Sequence, residues 1–226
     1  MPLMDDFESP LGSGARAAGK PTSSSHRDWV QQLQAIAQNG LHYAENDFDR
    51  ERYRHVAAIA GAMAQVGQTW PADLFLARQL LERGHATPKV DVRGVVFHEE
   101  RLLLVRERDD GLWSLPGGWA DIGDAPSTAV EREIREESGW ETRATRVLAV
   151  CDRNQHGYPP YPFHVYKLFL ECRVTGGSAA TSAETSQVDF FAESASPPLS
   201  LTRVLPGQIA RFFQQHRDPG LPADFD

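Results

Sequence analysis

The stretch Glu131–Glu141, EREIREESGWE, decides how this chain is read. On a helix, Glu133, Glu136 and Glu137 stand at i, i+3 and i+4 and so share one face. Like charges at that spacing repel, and negative charge near a helix C-terminus opposes the macrodipole. Where local rules are broken in this way, a functional site is the first thing to look for.

The flanking residues agree on where the helix begins and ends. Asp124 is read as its cap, Pro126 suits the first turn, and Ala129, Val130 and Ile134 form an apolar side. Gly139 fits the left-handed position that follows a last helical residue, and Trp140 can fold back toward Ile134 or Arg135. Upstream, LPGGW (115–119) puts two glycines where backbone has to approach a ligand or a metal closely. A hard divalent cation resolves the crowding, because Mg²⁺ and Mn²⁺ take oxygen ligands and convert carboxylate repulsion into coordination.

The run Gly118, five residues, Asp124, seven residues, then REIREESGW (132–140) resembles the Nudix box. The matching positions are Gly118, Arg132, Glu133, Ile134, Glu136, Glu137, Gly139 and Trp140, while Asp124 stands where the family usually has Glu. The resemblance implies a fold of the α+β class, an α/β/α sandwich around a mixed sheet, with Mg²⁺ or Mn²⁺ as cofactor. It further implies Glu133, Glu136 and Glu137 as metal ligands, with the Gly118 carbonyl as a further one. Asp124 and Arg132 would hold helix and loop together by ion pairing.

Outside the box the chain reads in parts. Residues 1–25, rich in Gly, Ser, Ala and Pro without an apolar period, read as a flexible tail. Residues 26–86 read as helical. One stripe (Trp29, Val30, Leu33, Ile36, Ala37) is ended by Asn39-Gly40, and a second (Tyr53, Val56, Ile59, Ala60, Met63, Val66) is capped by Asp47 or Asp49. A third (Leu74, Ala77, Leu80, Leu81) opens at Pro71 and closes at Gly84. Thr87–Lys89 marks a boundary into a domain spanning 87–217, with a C-terminal tail at 218–226. There the period changes to strands around 90–97, 101–108, 146–152, 163–174 and 188–192, and an amphipathic helix over 206–216 closes the pattern. WVQQLQAIAQNGLHYAENDFDRERYRHVAAIA (29–60), TPKVDVRGVVF (87–97) and PFHVYKLFLECRVTGG (162–177) resemble a bacterial Nudix subgroup. That subgroup carries a small all-α N-terminal domain, and the resemblance implies ADP-ribose or CDP-choline as substrate and a homodimer through those helices.

Composition narrows the function. With 226 residues, 41% apolar, net charge −8 and two cysteines, the chain supports a packed core and no disulfide framework. It opens without an apolar signal segment and has no membrane-length apolar run, so a cytoplasmic location is expected. From His26 to His85 six Lys/Arg stand against seven Asp/Glu, a poor footprint for binding nucleic acid.

Further candidates are less specific. Glu184, in the loop before the 188–192 strand, reads either as a metal ligand or general base or as an ordinary loop carboxylate. Arg106 and Arg108 could grip a diphosphate or end a strand in solvent. Arg153 and His156 lie in a Pro-rich loop that could face substrate, and His164 reads as structural. Trp113, Trp119 and Phe190 could stack on a base or pack in the core. The expected activity is hydrolysis of a nucleoside diphosphate linked to a second moiety. A nucleoside triphosphate sanitising hydrolase and a ligand-sensing regulator are the alternatives.

Overall fold

The hydropathy period switches from about 3.6 to 2 near residue 88, and the chain switches from helices to a sheet at the same point. A computed structural model describes residues 26–66 and 83–226. The expected tail at 1–25 and most of the third helical stripe lie outside these residues.

Helices α1 (His26–Tyr43) and α2 (Asp47–Val66) pack as an antiparallel pair through small residues. Val30, Ala37, Ala60 and Ala64 are buried between them. Asn39-Gly40 does not end α1. A Cβ at Gly40 would run into the Tyr53 ring, so this glycine lets α2 come close instead of breaking the helix. Neither Asp47 nor Asp49 caps α2. Asn46 does, its Oδ1 accepting the Asp49 N–H at 2.9 Å, while both aspartates sit in the first turn where the dipole favours them.

The second part is a mixed sheet with one helix on each face. β1 (Lys89–His98) and β2 (Arg101–Glu107) form a hairpin, β3 (Trp113–Ser114) extends β2, and β4 (Trp140–Asp152) pairs antiparallel with β5 (Val165–Gly177). β1 and β5 run parallel, β6 (Thr185–Phe191) lies antiparallel to β2, and with β7 (Asp224–Phe225) the strand order is β3-β2-β1-β5-β4-β7. β4 starts at Trp140, earlier than its apolar run suggests, because three register shifts interrupt its alternation. Residues 218–226 are not simply a tail: β7 (Asp224–Phe225) adds to the β4 edge, and Arg211 holds Asp224 at 2.7 Å.

Helix α3 (Pro126–Ser138) covers one face, packing Ala129, Val130 and Ile134 on Val92, Val96, Leu103 and Leu170. Helix α4 (Pro206–Arg217) covers the other, packing Ile209, Phe212 and Phe213 on Val95, Leu104, Leu148 and Phe169. This is the α/β/α sandwich expected from the sequence. Gly94 sits under α3, where a Cβ would collide with Ile134. Among the described residues no helix is long and apolar enough to cross a membrane.

Candidate active site

The acidic helix is tied down mainly at its C-terminal end. Its N-cap is Ala125, with no side-chain cap, so Asp124 does not play the capping part expected of it. Asp124 turns instead to Arg132, whose Nε lies 3.3 Å from Asp124 Oδ2. At the other end Gly139 is left-handed (φ 76°) and donates to Arg135 O at 2.9 Å. Ala180 N–H donates to Ser138 O at 2.9 Å and Thr185 Oγ1 to Glu137 O at 2.7 Å. The carbonyls left over at a helix C-terminus are thereby satisfied by the segment that leads into β6.

Gly117 and Gly118 run along the edge of β1. Val92 N–H donates to Gly118 O at 2.8 Å, and Gly94 N–H donates to Pro116 O at the same distance. The Gly118 carbonyl, expected among the metal ligands, thus has one lone pair committed to the sheet. Gly117 needs its positive φ of 140°, and a Cβ there would overlap Val92 O. Its N–H donates to Glu137 Oε2 at 2.8 Å.

The three glutamates open on one cleft of about 470 Å³. Arg132 sits among them, with Nη1 2.8 Å from Glu133 Oε1 and 3.1 Å from Glu136 Oε2, and Nη2 3.3 Å from Asp121. Burial pushes the Glu137 carboxyl up to about 8, against the pull of Arg93 and the Gly117 N–H, with Glu107 and Glu133 adding to the rise. Burial also raises Glu133 and Glu107.

Glu184 reaches the same cleft, and its carbonyl accepts the Arg108 N–H at 2.9 Å. The proposed substrate arginines do not line it. Arg106 donates from Nε to Gly111 O at 2.7 Å, and Arg153 is 3% exposed, its guanidinium over the Tyr158 and Tyr161 rings. Arg108 donates to Ser182 O, while His156 and His164 pair with Asp226 and Asp152. Trp113 and Phe190 pack in the two cores, whereas Trp119 stays 42% exposed at the cleft wall.

Arg93, Glu107 and Arg203 are among the cleft residues that escape the sequence reading. Arg93 is held by Asp91 in a two-pronged pair at 2.8 and 3.0 Å, and Lys167 grips Asp91 from behind at 3.0 Å. Lys167 is buried beside Arg93, and that burial brings its ammonium down to about 8 despite Asp91. Glu107 turns inward where β2 shifts register, and Arg203 Nε lies 3.1 Å from its Oε1. Arg203 arrives on the 196–205 segment, which β3 anchors through Trp113 N–H to Pro198 O and Ser200 N–H to Trp113 O. Two charges, Asp91 and Arg93, inside a Val-rich strand were a readable signal. Arg203 carries none.

An all-oxygen donor set of this kind suits a hard dication. The close approach at Gly118 fits too, since a Cβ there would lie 3.0 Å from Glu133 Oε2. Among the described residues no three such side chains converge on one point as they stand. Arg132 draws Glu133 and Glu136 to itself, and Gly117 holds Glu137.

Residues 87–210 match the NUDIX domain model. The chain belongs to the Nudix family. Residues 25–73 of this Nudix hydrolase match a second model, described as a UDP-X-like, N-terminal oligomerisation domain. A Bacillus subtilis protein provisionally named an ADP-ribose pyrophosphatase is 42% identical over 197 residues, covering 87% of this chain and 95% of its own length. A Streptococcus suis ADP-ribose pyrophosphatase structure is 38% identical with a TM-score of 0.57, covering 62% of this chain and 100% of its own. A UDP-X diphosphatase structure is 28% identical with a TM-score of 0.59, covering 88% of this chain and 96% of its own.

Proposed function

We propose that this Nudix hydrolase cleaves the diphosphate of a nucleoside diphosphate linked to a second moiety, giving a nucleoside monophosphate and the phosphorylated partner. One observation carries the reading: Glu133, Glu136 and Glu137 share a cleft with two arginines, Arg93 and Arg203, from separate parts of the chain. A pocket with both signs of charge can take up cations and a polyanion together. The relatives named for ADP-ribose and UDP-X support the substrate class.

Glu133, Glu136 and Glu137 would hold the divalent cation, Mg²⁺ or Mn²⁺. When bound, it supplies charge neutralisation at the diphosphate and a water of lowered pKa. Glu137 is kept in place by the Gly117 N–H, and Arg132 keeps its neighbours gathered. Glu184, on the rim, is the candidate to take the proton from the attacking water. Arg93 and Arg203 would face charge that grows on the departing phosphate. The helical pair would carry self-association, since Trp29, Ile36, Phe48 and Ile59 are exposed there.

The test is a panel of ADP-ribose, CDP-choline, UDP-glucose and nucleoside triphosphates with product analysis, with Mg²⁺, Mn²⁺ or chelator. Monophosphate release that needs the cation is expected. Hydrolysis of triphosphates alone would move the protein to the sanitising class, and undiminished hydrolysis in chelator would remove the cation from the mechanism.

A further inference from the structure

Inward positions of a covered sheet are normally apolar, and the face of β1 turned toward α4 breaks that rule twice. Val95 obeys it, whereas Asp91 and Arg93, spaced two residues apart on the same face, are both buried charges. Lys167 stands opposite Asp91 on β5 and adds a third, 1% exposed, with its Nζ 5.6 Å from the Tyr158 ring centre. Replacing such a set by apolar side chains of similar size is commonly neutral or stabilising, so stability gives no reason to keep it.

The donors of Arg93 can be accounted for one by one. A guanidinium has five. Nε and one Nη2 N–H go to Asp91, while Nη1 goes to Leu115 O at 3.1 Å and Ser114 Oγ at 3.4 Å. The remaining Nη2 N–H has no acceptor among the described residues, and Arg93, 5% exposed, lines the acidic cleft. The two carboxylates that act on it across the cleft are committed elsewhere, Glu137 to the Gly117 N–H and Glu107 to Arg203.

An arginine paired one-to-one with a carboxylate carries no net charge and attracts a polyanion weakly. Here Lys167 Nζ lies 3.0 Å from Asp91 Oδ1, the same oxygen that accepts Arg93 Nε. Burial brings this ammonium down only to about 8, so at pH 7 two cations share one carboxylate. The trio holds one positive charge in excess, and Arg93 alone of the three lines the cleft.

We infer that Asp91 and Lys167 are positioning residues for the diphosphate, both acting through Arg93. Asp91 fixes the plane of the guanidinium so that its remaining N–H meets a phosphoryl oxygen, and Lys167 offsets Asp91 so that the unit stays cationic. The inference rests on the diphosphate-linked reading above and names what stands behind one of its cations.

The test measures kcat and KM with ADP-ribose, CDP-choline and UDP-glucose in Mg²⁺ at pH 7. Wild type is compared with Arg93→Met, Lys167→Met and the triple replacement Asp91→Leu, Arg93→Met and Lys167→Met, each checked for folding by thermal melt. In parallel, calorimetry at fixed Mg²⁺ follows binding of inorganic pyrophosphate to the same proteins. Arg93→Met is expected to lower kcat/KM about 10²- to 10³-fold. Lys167→Met leaves a matched Asp91–Arg93 pair and should lower it about 10-fold. The triple replacement should match Arg93→Met within about threefold, because effects that pass through one residue do not add.

If Lys167→Met keeps kcat/KM within twofold of wild type, the inference is wrong. It is equally wrong if the triple replacement falls more than tenfold below Arg93→Met, since the loss would then bypass Arg93. Should Lys167→Met fail to fold, Lys167→Gln takes its place, and should the triple replacement fail, the lysine variant decides alone. If wild type hydrolyses none of the three substrates, the diphosphate-linked reading fails, and pyrophosphate binding decides the inference. Weaker binding by Lys167→Met upholds it, whereas equal binding, or none by wild type, overturns it.

Discussion

Helix α3 and the helix pair α1–α2 are built on opposite principles. In its 13 residues α3 buries Ala129, Val130 and Ile134 and also a carboxylate, Glu137. In its 20 residues α2 buries only Ala60, Gly61 and Ala64, and large side chains such as Phe48, Ile59 and Val66 face outward. One region spends packing energy to keep charge away from water, and the other leaves apolar surface uncovered. A buried charge without its counterion is a stability debt, whereas an uncovered apolar face is an association site. On the reading proposed above, the contrast separates the reacting cleft from the surface that would carry self-association.

The sharpest way to break this comparison is Glu137→Gln. Turnover is expected to fall at least about 100-fold in steady-state kinetics. The same variant should melt higher than wild type in chelator at pH 8, because an isosteric amide removes the buried charge. Wild-type turnover in the variant would mean that the buried carboxylate has no part in the chemistry.

Next in size are two glycine replacements that probe each region separately. Gly117→Ala forces a side chain into Val92 O at φ 140° and is expected to cost about 3 kcal/mol by denaturant titration, with activity lost as Glu137 loses its anchor. Gly40→Ala pushes into Tyr53 and is expected to cost about 1–3 kcal/mol, felt in the helix pair. Hydrogen exchange should place the loosening of Gly40→Ala in 26–66, with the sheet unchanged. Loosening of α3 instead would merge the two regions.

A pH series sharpens the electrostatic side. Glu137 is raised to about 8 when folded, from an ordinary 4.5, so the folded protein holds more protons between those values. In chelator, stability should therefore fall as pH rises from about 5 to 8, by order 1 kcal/mol per unit for this group. A divalent cation competes with that proton, so the rise in melting temperature it gives should be larger at pH 8 than at pH 6. A cation effect that does not change with pH would place the ion elsewhere.

The smallest effect belongs to neither region. The β1–β2 turn runs through Glu99 (φ 47°) and Glu100 (φ 57°), both left-handed without being glycine. Replacing them with Asn-Gly should stabilise the fold by about 0.5–1 kcal/mol in thermal melts and leave turnover unchanged.

The box region was legible because its residues act locally. Helix start, left-handed stop and the glutamate face all follow from spacing within some twenty positions. The sandwich followed from the family resemblance of the same run, while the strand alternation around it pointed only to a mixed domain of helices and strands. The helix pair was read less well, because Asn39-Gly40 looks like punctuation until Tyr53 is seen above it. Asp47 and Asp49 read as caps, whereas Asn46 just before them accepts the Asp49 N–H, which only geometry shows. In the cleft the sequence led to the glutamates and to Arg132, and missed the two further cations, Arg93 and Arg203. Arg203 is distant from α3 in the chain and reaches the cleft because β3 ties its loop down, which no local pattern encodes. Arg106 and Arg153 looked equally suitable, yet backbone and aromatic partners hold them outside the cleft.

One guanidinium, that of Arg132, touches Asp121, Asp124, Glu133 and Glu136 at 2.8–3.3 Å. The side chain serves as an internal counterion, present from synthesis onward and immune to chelators. If the cleft takes up a dication as proposed, its carboxylates are already gathered before any inorganic ion arrives, and loading would be a late and reversible event in the life of the molecule.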